Sequence, residues 1–81
     1  MNRSEIEQQV NLILKDQLGS DIEIEDDSHL SNDLGADSLD SVEVVMRLEV
    51  KLNIAISDDD TQNIDTAKDL YDVVESKLQK K

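Results

Sequence analysis

Asp33-Leu34-Gly35-Ala36-Asp37-Ser38-Leu39-Asp40 passes directly into Ser41-Val42-Glu43-Val44-Val45-Met46 and an amphipathic stretch that reaches Leu52. Asp37 is a favourable N-cap residue, and Asp40 adds a second carboxylate in the first turn, where the helix dipole favours negative charge. The spacing therefore predicts a helix from Ser38 to about Leu52, entered from a glycine-bearing loop. Leu39, Val42, Val45, Met46, Leu48, Val50 and Leu52 give this helix an apolar surface wider than one core-facing stripe requires. Either it is buried on two sides, or it carries an outward strip that a partner touches. Ser38 falls in the first turn, where unpaired N–H groups and the positive dipole end tolerate a phosphoryl group. By position alone it is equally an ordinary first-turn serine beside an Asp cap.

On the N-terminal side, Ile6, Val10, Ile13, Leu14 and Leu18 recur at steps of three and four, which predicts a first helix from about Glu5 to Leu18. Ser4 and Glu7 have capping-box spacing, Leu12 lies off the stripe and is expected to be exposed, and Gly19 is a stop signal. Residues 20 to 36 form a long acidic loop pinned by Ile24, Leu30 and Leu34, a length without regular structure that is usually functional. On the C-terminal side, Ser57 with Asp60 predicts a brief helix from about Asp58 to Ile64. Thr66 with Asp69 predicts a last helix from about Ala67 to Lys77. Leu70, Val73 or Val74, and Leu78 should be buried on it, with Tyr71 partly so. The terminal Lys77-Leu78-Gln79-Lys80-Lys81 places positive charge at a helix C-terminus and is expected to fray. No strand periodicity is present, so the expected fold is all-α: a four-helix bundle of three longer helices and one short one, with a long first loop, occupying residues 1–81 as one domain.

Composition limits what such a bundle can do. With 81 residues and no Cys, the chain has no thiol nucleophile, thiolate zinc site or disulfide scaffold. Apolar runs do not exceed three residues, too short for a membrane span, so a soluble cytoplasmic protein without membrane insertion is expected. Net charge is −12, which disfavours nucleic acid and favours basic partners. Ten of those charges fall between Lys15 and Arg47, where no Lys or Arg occurs. The acidic runs Asp26-Asp27 and Asp58-Asp59-Asp60 lack the alternating ligands, central Gly and closing Glu of an EF-hand, so no dedicated metal site is expected. His29 is the only histidine, and its loop offers no triad geometry. No base, metal set and nucleophile can be assembled, which argues against an enzyme.

The octapeptide Asp33–Asp40 resembles the phosphopantetheine attachment motif of acyl carrier proteins, and the likeness extends along nearly the whole chain. Ile6-Glu7 with Val10, and Gln17-Leu18-Gly19, look like that family's first helix. Residues 40–46 look like its second helix, Ile54-Ala55-Ile56-Ser57-Asp58 like the entry to its third, and Asp65-Thr66-Ala67 like the start of its last.

The resemblance implies that a phosphopantetheinyl transferase moves 4′-phosphopantetheine from coenzyme A onto Ser38 with the help of Mg²⁺. The arm's thiol would then carry acyl intermediates as thioesters in fatty-acid biosynthesis. It implies a docking face of Asp37, Asp40, Glu43 and Glu49 around Leu39, Val42 and Met46, facing basic patches on fatty-acid synthase enzymes and acyltransferases. It also implies an acyl pocket lined by Leu30, Val45, Leu48, Leu52, Ile56, Ile64, Leu70 and Val74, residues that would be core in any bundle. A monomer is expected. The chain departs from the family pattern at Arg47, Val50 and Lys51, which interrupt an acidic face. It departs also at Leu52 and Leu30, where Phe is frequent, and at Ser57, where Pro is common. These departures leave open a specialised carrier for polyketide, lipid or other secondary acyl pathways. A different class, an acidic interaction protein that uses its charge directly, is the remaining alternative.

Overall fold

The computed structural model describes residues 1–79. Four helices follow one another: α1 (Arg3–Leu18), α2 (Ser38–Leu52), α3 (Asp58–Gln62) and α4 (Ala67–Gln79). Among the described residues there is no strand, and no helix is long and apolar enough to cross a membrane. Lys80 and Lys81, the fraying end expected from sequence, lie outside the described residues.

α1 starts earlier than the Ser4–Glu7 spacing predicts. Asn2 is the cap: its backbone is extended (φ −84°, ψ 170°) and its Oδ1 accepts the Glu5 N–H at 2.9 Å. Glu5 returns the bond by accepting the Asn2 N–H at 3.2 Å. Two capping boxes overlap in the sequence, and the one that starts at Asn2 forms, leaving Ser4 inside the helix. At the other end Gly19 caps α1 at φ 134°, a backbone conformation in which a side chain would be strained.

α1 is the central helix and packs against both α2 and α4. Its Ile6, Val10, Ile13 and Leu14 are buried, as the stripe predicts, while Leu18 is half-buried and Leu12 exposed. From α4 the core receives Ala67, Leu70, Tyr71 and Val74, and Val73 is only half-buried. Tyr71 is fully rather than partly buried, because its hydroxyl donates to Asn11 Oδ1 at 2.6 Å and so carries its polar atom into the α1–α4 seam. Burial pushes this phenol above its usual range, with the Asn11 bond opposing the shift. Arg3 covers the same ring at 5.5 Å and pairs with Glu7, Asp72 and Glu75, tying the start of α1 to α4.

α3 ends at Gln62, two residues before the predicted Ile64, and buries none of its residues. Its acids Asp58, Asp59 and Asp60 lie in the first turn, and Ser57 Oγ accepts the Asp60 N–H at 3.1 Å. The Asp60 carboxylate meets Lys77 Nζ at 2.8 Å, which anchors this short helix to α4 and holds the carboxyl below the usual range.

The long loop is stitched to the start of α4. His29 and Thr66 form an isolated antiparallel bridge, Leu30 N–H donates to the Asp65 carbonyl at 2.9 Å, and Ala67 N–H donates to the Ser28 carbonyl at 3.0 Å. Leu30 and Leu34 are buried pins as expected, and Ile24 packs at the edge of the core. Ser28 and Ala36 are buried too: Ser28 Oγ accepts the Glu25 N–H, and Ala36 N–H donates to the Leu30 carbonyl at 2.8 Å.

Candidate functional site

The loop delivers residues 33–36 to the N-terminus of α2, with Gly35 at φ 78° making the turn. No atom lies within 4 Å of where a Gly35 Cβ would stand, so backbone conformation rather than space calls for glycine. Asp37 is the N-cap: its Oδ1 accepts the Asp40 N–H at 2.8 Å, and Asp40 Oδ2 accepts the Asp37 N–H at 3.3 Å. Ser38 is the first helical residue and is exposed. Among the described residues its hydroxyl and the N–H groups of Ser38 and Leu39 have no hydrogen-bond partner, so an exposed nucleophilic oxygen sits among free donors at a positive helix end. These features suit a phosphodiester on Ser38 Oγ.

α2 presents two faces. Val44, Val45 and Leu48 are buried, with Val44 and Leu48 in the main core. Val44, absent from the apolar set predicted from periodicity, is 2% exposed and belongs among the core positions. Leu39, Val42, Met46 and Val50 form the outward strip, at 65%, 46%, 57% and 84% exposure. Of the four acidic residues assigned to docking, Asp37 and Glu43 are exposed, and Asp40 and Glu49 are half-buried. Glu49 is engaged within the fold: its Oε2 accepts the Ile56 N–H at 2.9 Å and holds the segment between α2 and α3.

Gln17, which the sequence marks only as part of the α1 pattern, has a place at this site. Its Nε2 donates to Asp40 Oδ1 at 3.2 Å and to Glu43 Oε2 at 2.6 Å, steadying two carboxylates beside Ser38 from the neighbouring helix. Arg47 is turned the same way, pairing with Asp16 and donating to Gln17 Oε1 at 3.4 Å. No spacing within α2 reveals these contacts. The available signal is that Gln17 lies three and four residues beyond Leu14 and Ile13, on the border of the α1 stripe.

The residues assigned to an acyl pocket are all buried or half-buried. Leu30, Val45, Leu48, Ile56, Leu70 and Val74 are buried, while Leu52 and Ile64 are half-buried against the core. His29 is exposed, and its backbone N–H donates to Asp33 Oδ2 at 2.7 Å, a local loop bond. Among the described residues no three of His, Cys, Asp and Glu gather as a metal site.

Residues 8–74 match the family described as the phosphopantetheine attachment site. The chain belongs to the acyl carrier protein family. It is 42% identical over 79 residues to the acyl carrier protein of Guillardia theta, covering 96% of this chain and 98% of that one. With the acyl carrier protein of Cyanidium caldarium it shares 42% identity over 82 residues, covering 100% and 95% of the two chains. The crystal structure of an acyl carrier protein from Thermotoga maritima superposes with a TM-score of 0.85 at 30% identity, covering 99% of this chain and 94% of that one. Acyl carrier proteins are carriers built around a covalently attached 4′-phosphopantetheine, and the exposed α2 terminus of this family member fits that group.

Proposed function

We propose that Ser38 is the attachment point of the 4′-phosphopantetheine arm and that the chain carries acyl intermediates of fatty-acid biosynthesis between enzymes. The observation that carries this reading is the free, exposed Ser38 hydroxyl at the first position of α2. The arm supplies a terminal thiol for thioester formation, chemistry that a Cys-free chain lacks. In the loading reaction Ser38 Oγ forms a bond to phosphorus as the pyrophosphate of coenzyme A breaks and adenosine 3′,5′-bisphosphate leaves. The hydroxyl proton passes to a base on the transferase as the bond to phosphorus forms. The unpaired N–H groups of Ser38 and Leu39 are available to the resulting phosphodiester.

Docking rests on the same helix. Asp37, Asp40 and Glu43, with Leu39, Val42 and Met46 between them, face basic patches on a phosphopantetheinyl transferase, on fatty-acid synthase enzymes and on acyltransferases. Charge complementarity raises on-rate more than affinity and is screened by salt, which suits a carrier that must leave each enzyme quickly. Glu49 supports this face by anchoring the segment that follows α2. An acyl chain is sheltered among Leu30, Val45, Leu48, Leu52, Ile56, Ile64, Leu70 and Val74, where α3 adds no buried side chain of its own to resist opening. In this reading the protein is a monomeric cytoplasmic substrate handle and not a catalyst.

Intact mass after incubation with coenzyme A, Mg²⁺ and a phosphopantetheinyl transferase tests the central claim. A single phosphopantetheine gain that disappears in Ser38→Ala is the expected result, and no gain in the unmutated chain would sink it. A specialised acyl pathway is the second reading, favoured by Arg47 and Lys51 on α2. It gains support if rates with standard fatty-acid synthase enzymes are low and rise when Arg47→Ala is combined with Lys51→Glu.

A further inference from the structure

At the end of α2 away from Ser38, α1 and α2 frame a groove of about 700 Å³ whose walls include Leu12, Ile13, Lys15, Asp16, Arg47 and Lys51. A second hollow of about 450 Å³ adjoins it through Ile13, Arg47 and Lys51 and adds Met46 and Val50. Ile13 lies at the base, and apolar side chains stand open to solvent around it: Leu12 and Met46 are each 57% exposed and Val50 84%. The rim is basic in a chain that carries a net charge of −12. Arg47 is paired with Asp16, whereas Lys15 and Lys51 make no ion pair among the described residues, although the chain holds 20 carboxylates. Cations left unneutralised around exposed apolar side chains are the complement of an acidic amphipathic surface.

We infer that this α1–α2 groove is a second docking surface, of opposite polarity to the face beside Ser38, and that it takes an amphipathic helix of a partner protein whose apolar stripe is flanked by Glu or Asp. A helix places anchors at i, i+3, i+4 and i+7 along one face, which suits a shallow groove with exposed apolar side chains, and Met46 adapts its shape to such anchors. An anionic membrane would meet the same lysines, but it is a flat surface that the net charge of −12 repels as a whole. The groove shares Met46 with the face beside Ser38, and Ser38 itself is not among its lining residues.

The test is a displayed library of helical peptides with Leu fixed at i, i+3, i+4 and i+7 and with Glu, Gln or Lys allowed at the flanking positions. It is selected on the full chain, and the selected peptides are measured by fluorescence anisotropy. Glu-flanked helices should be enriched and should bind Ser38→Ala as tightly as the unmutated chain. Their affinity should fall about tenfold in Lys15→Gln combined with Lys51→Gln, the order of loss expected when charges at an interface lose their partners. Val50→Asp, at a position 84% exposed and checked for an unchanged helical spectrum, should weaken binding similarly. The inference is overturned if no Glu-flanked helix is enriched or if binding is unchanged in both variants. It is also overturned if these lysines instead drive sedimentation with phosphatidylglycerol vesicles or concentration-dependent self-association. Because binding is read on Ser38→Ala as well, failure here leaves the carrier reading standing, and failure of Ser38 modification leaves this one standing.

Discussion

Asp69 shows how much one carboxylate does at a helix start. Burial raises its pKa, but hydrogen bonds from the Asp65 N–H, the Thr66 N–H and the Thr66 hydroxyl outweigh that and leave it below the usual carboxylate range. Thr66 Oγ1 in turn accepts the Asp69 N–H at 3.2 Å, so the pair closes the first turn of α4. A carboxylate whose folded pKa is depressed contributes stability that is fully present above its unfolded pKa, near 4, and is lost as pH falls through the folded value. Asp69→Asn should therefore cost about 1 kcal/mol at neutral pH, the scale of a lost cap. The gap between variant and unmutated chain should close as pH falls below about 4. Urea unfolding of both chains from pH 7 to pH 3 checks this, and a gap that stays constant would contradict it.

Elements are decided by which face each turns inward. On α2 the adjacent apolar residues Val42, Val44, Val45 and Met46 divide between core and solvent, and only packing against α1 separates them. Val44→Ala should lower stability by about 2 kcal/mol, the transfer cost of the removed methyls plus the cavity they leave. Val50→Ala, on the same helix and in the open, should stay within about 0.5 kcal/mol of the unmutated chain. Thermal melts of the two variants side by side provide the comparison, and equal losses would mean that the inward face has been wrongly placed. α3 is the opposite case, since capping and the Lys77–Asp60 pair hold it with no buried residue. It is the element whose displacement costs the least apolar burial.

Across the whole molecule, repulsion among like charges opposes the compact state. Twenty acidic residues face eight basic ones, and the loop with the start of α2 holds much of the excess. The ion pairs engage few of these acids: Arg3 pairs with Glu7, Asp72 and Glu75, Arg47 with Asp16 and Lys77 with Asp60. Nine of the ten acids between Lys15 and Arg47 make no ion pair among the described residues, and their mutual repulsion weakens the fold at low ionic strength. Added NaCl should raise the melting temperature, and millimolar Mg²⁺ should raise it further than the same ionic strength of NaCl. A melting temperature unchanged or lowered by Mg²⁺ would count against this account.

What the sequence by itself determined is what depends on neighbours along the chain. The four helices, the Asp37, Ser57 and Thr66 starts, the Gly19 stop and the motif around Ser38 all rest on bonds spanning three or four residues, which periodicity and capping chemistry report directly. Even there, overlapping signals needed the fold: Asn2 rather than Ser4 begins α1, because its extended backbone aims the side chain at the Glu5 N–H. The tertiary structure alone decided what depends on residues distant in sequence. It placed Val44 inward, buried Tyr71 by supplying Asn11, joined the loop to α4 through His29 and Thr66, and brought Gln17 to Asp40 and Glu43. It also gathered Lys15, Arg47 and Lys51 around one apolar groove. Such contacts join helices separated by a long loop, and their geometry is set by how the bundle closes rather than by any spacing within a helix.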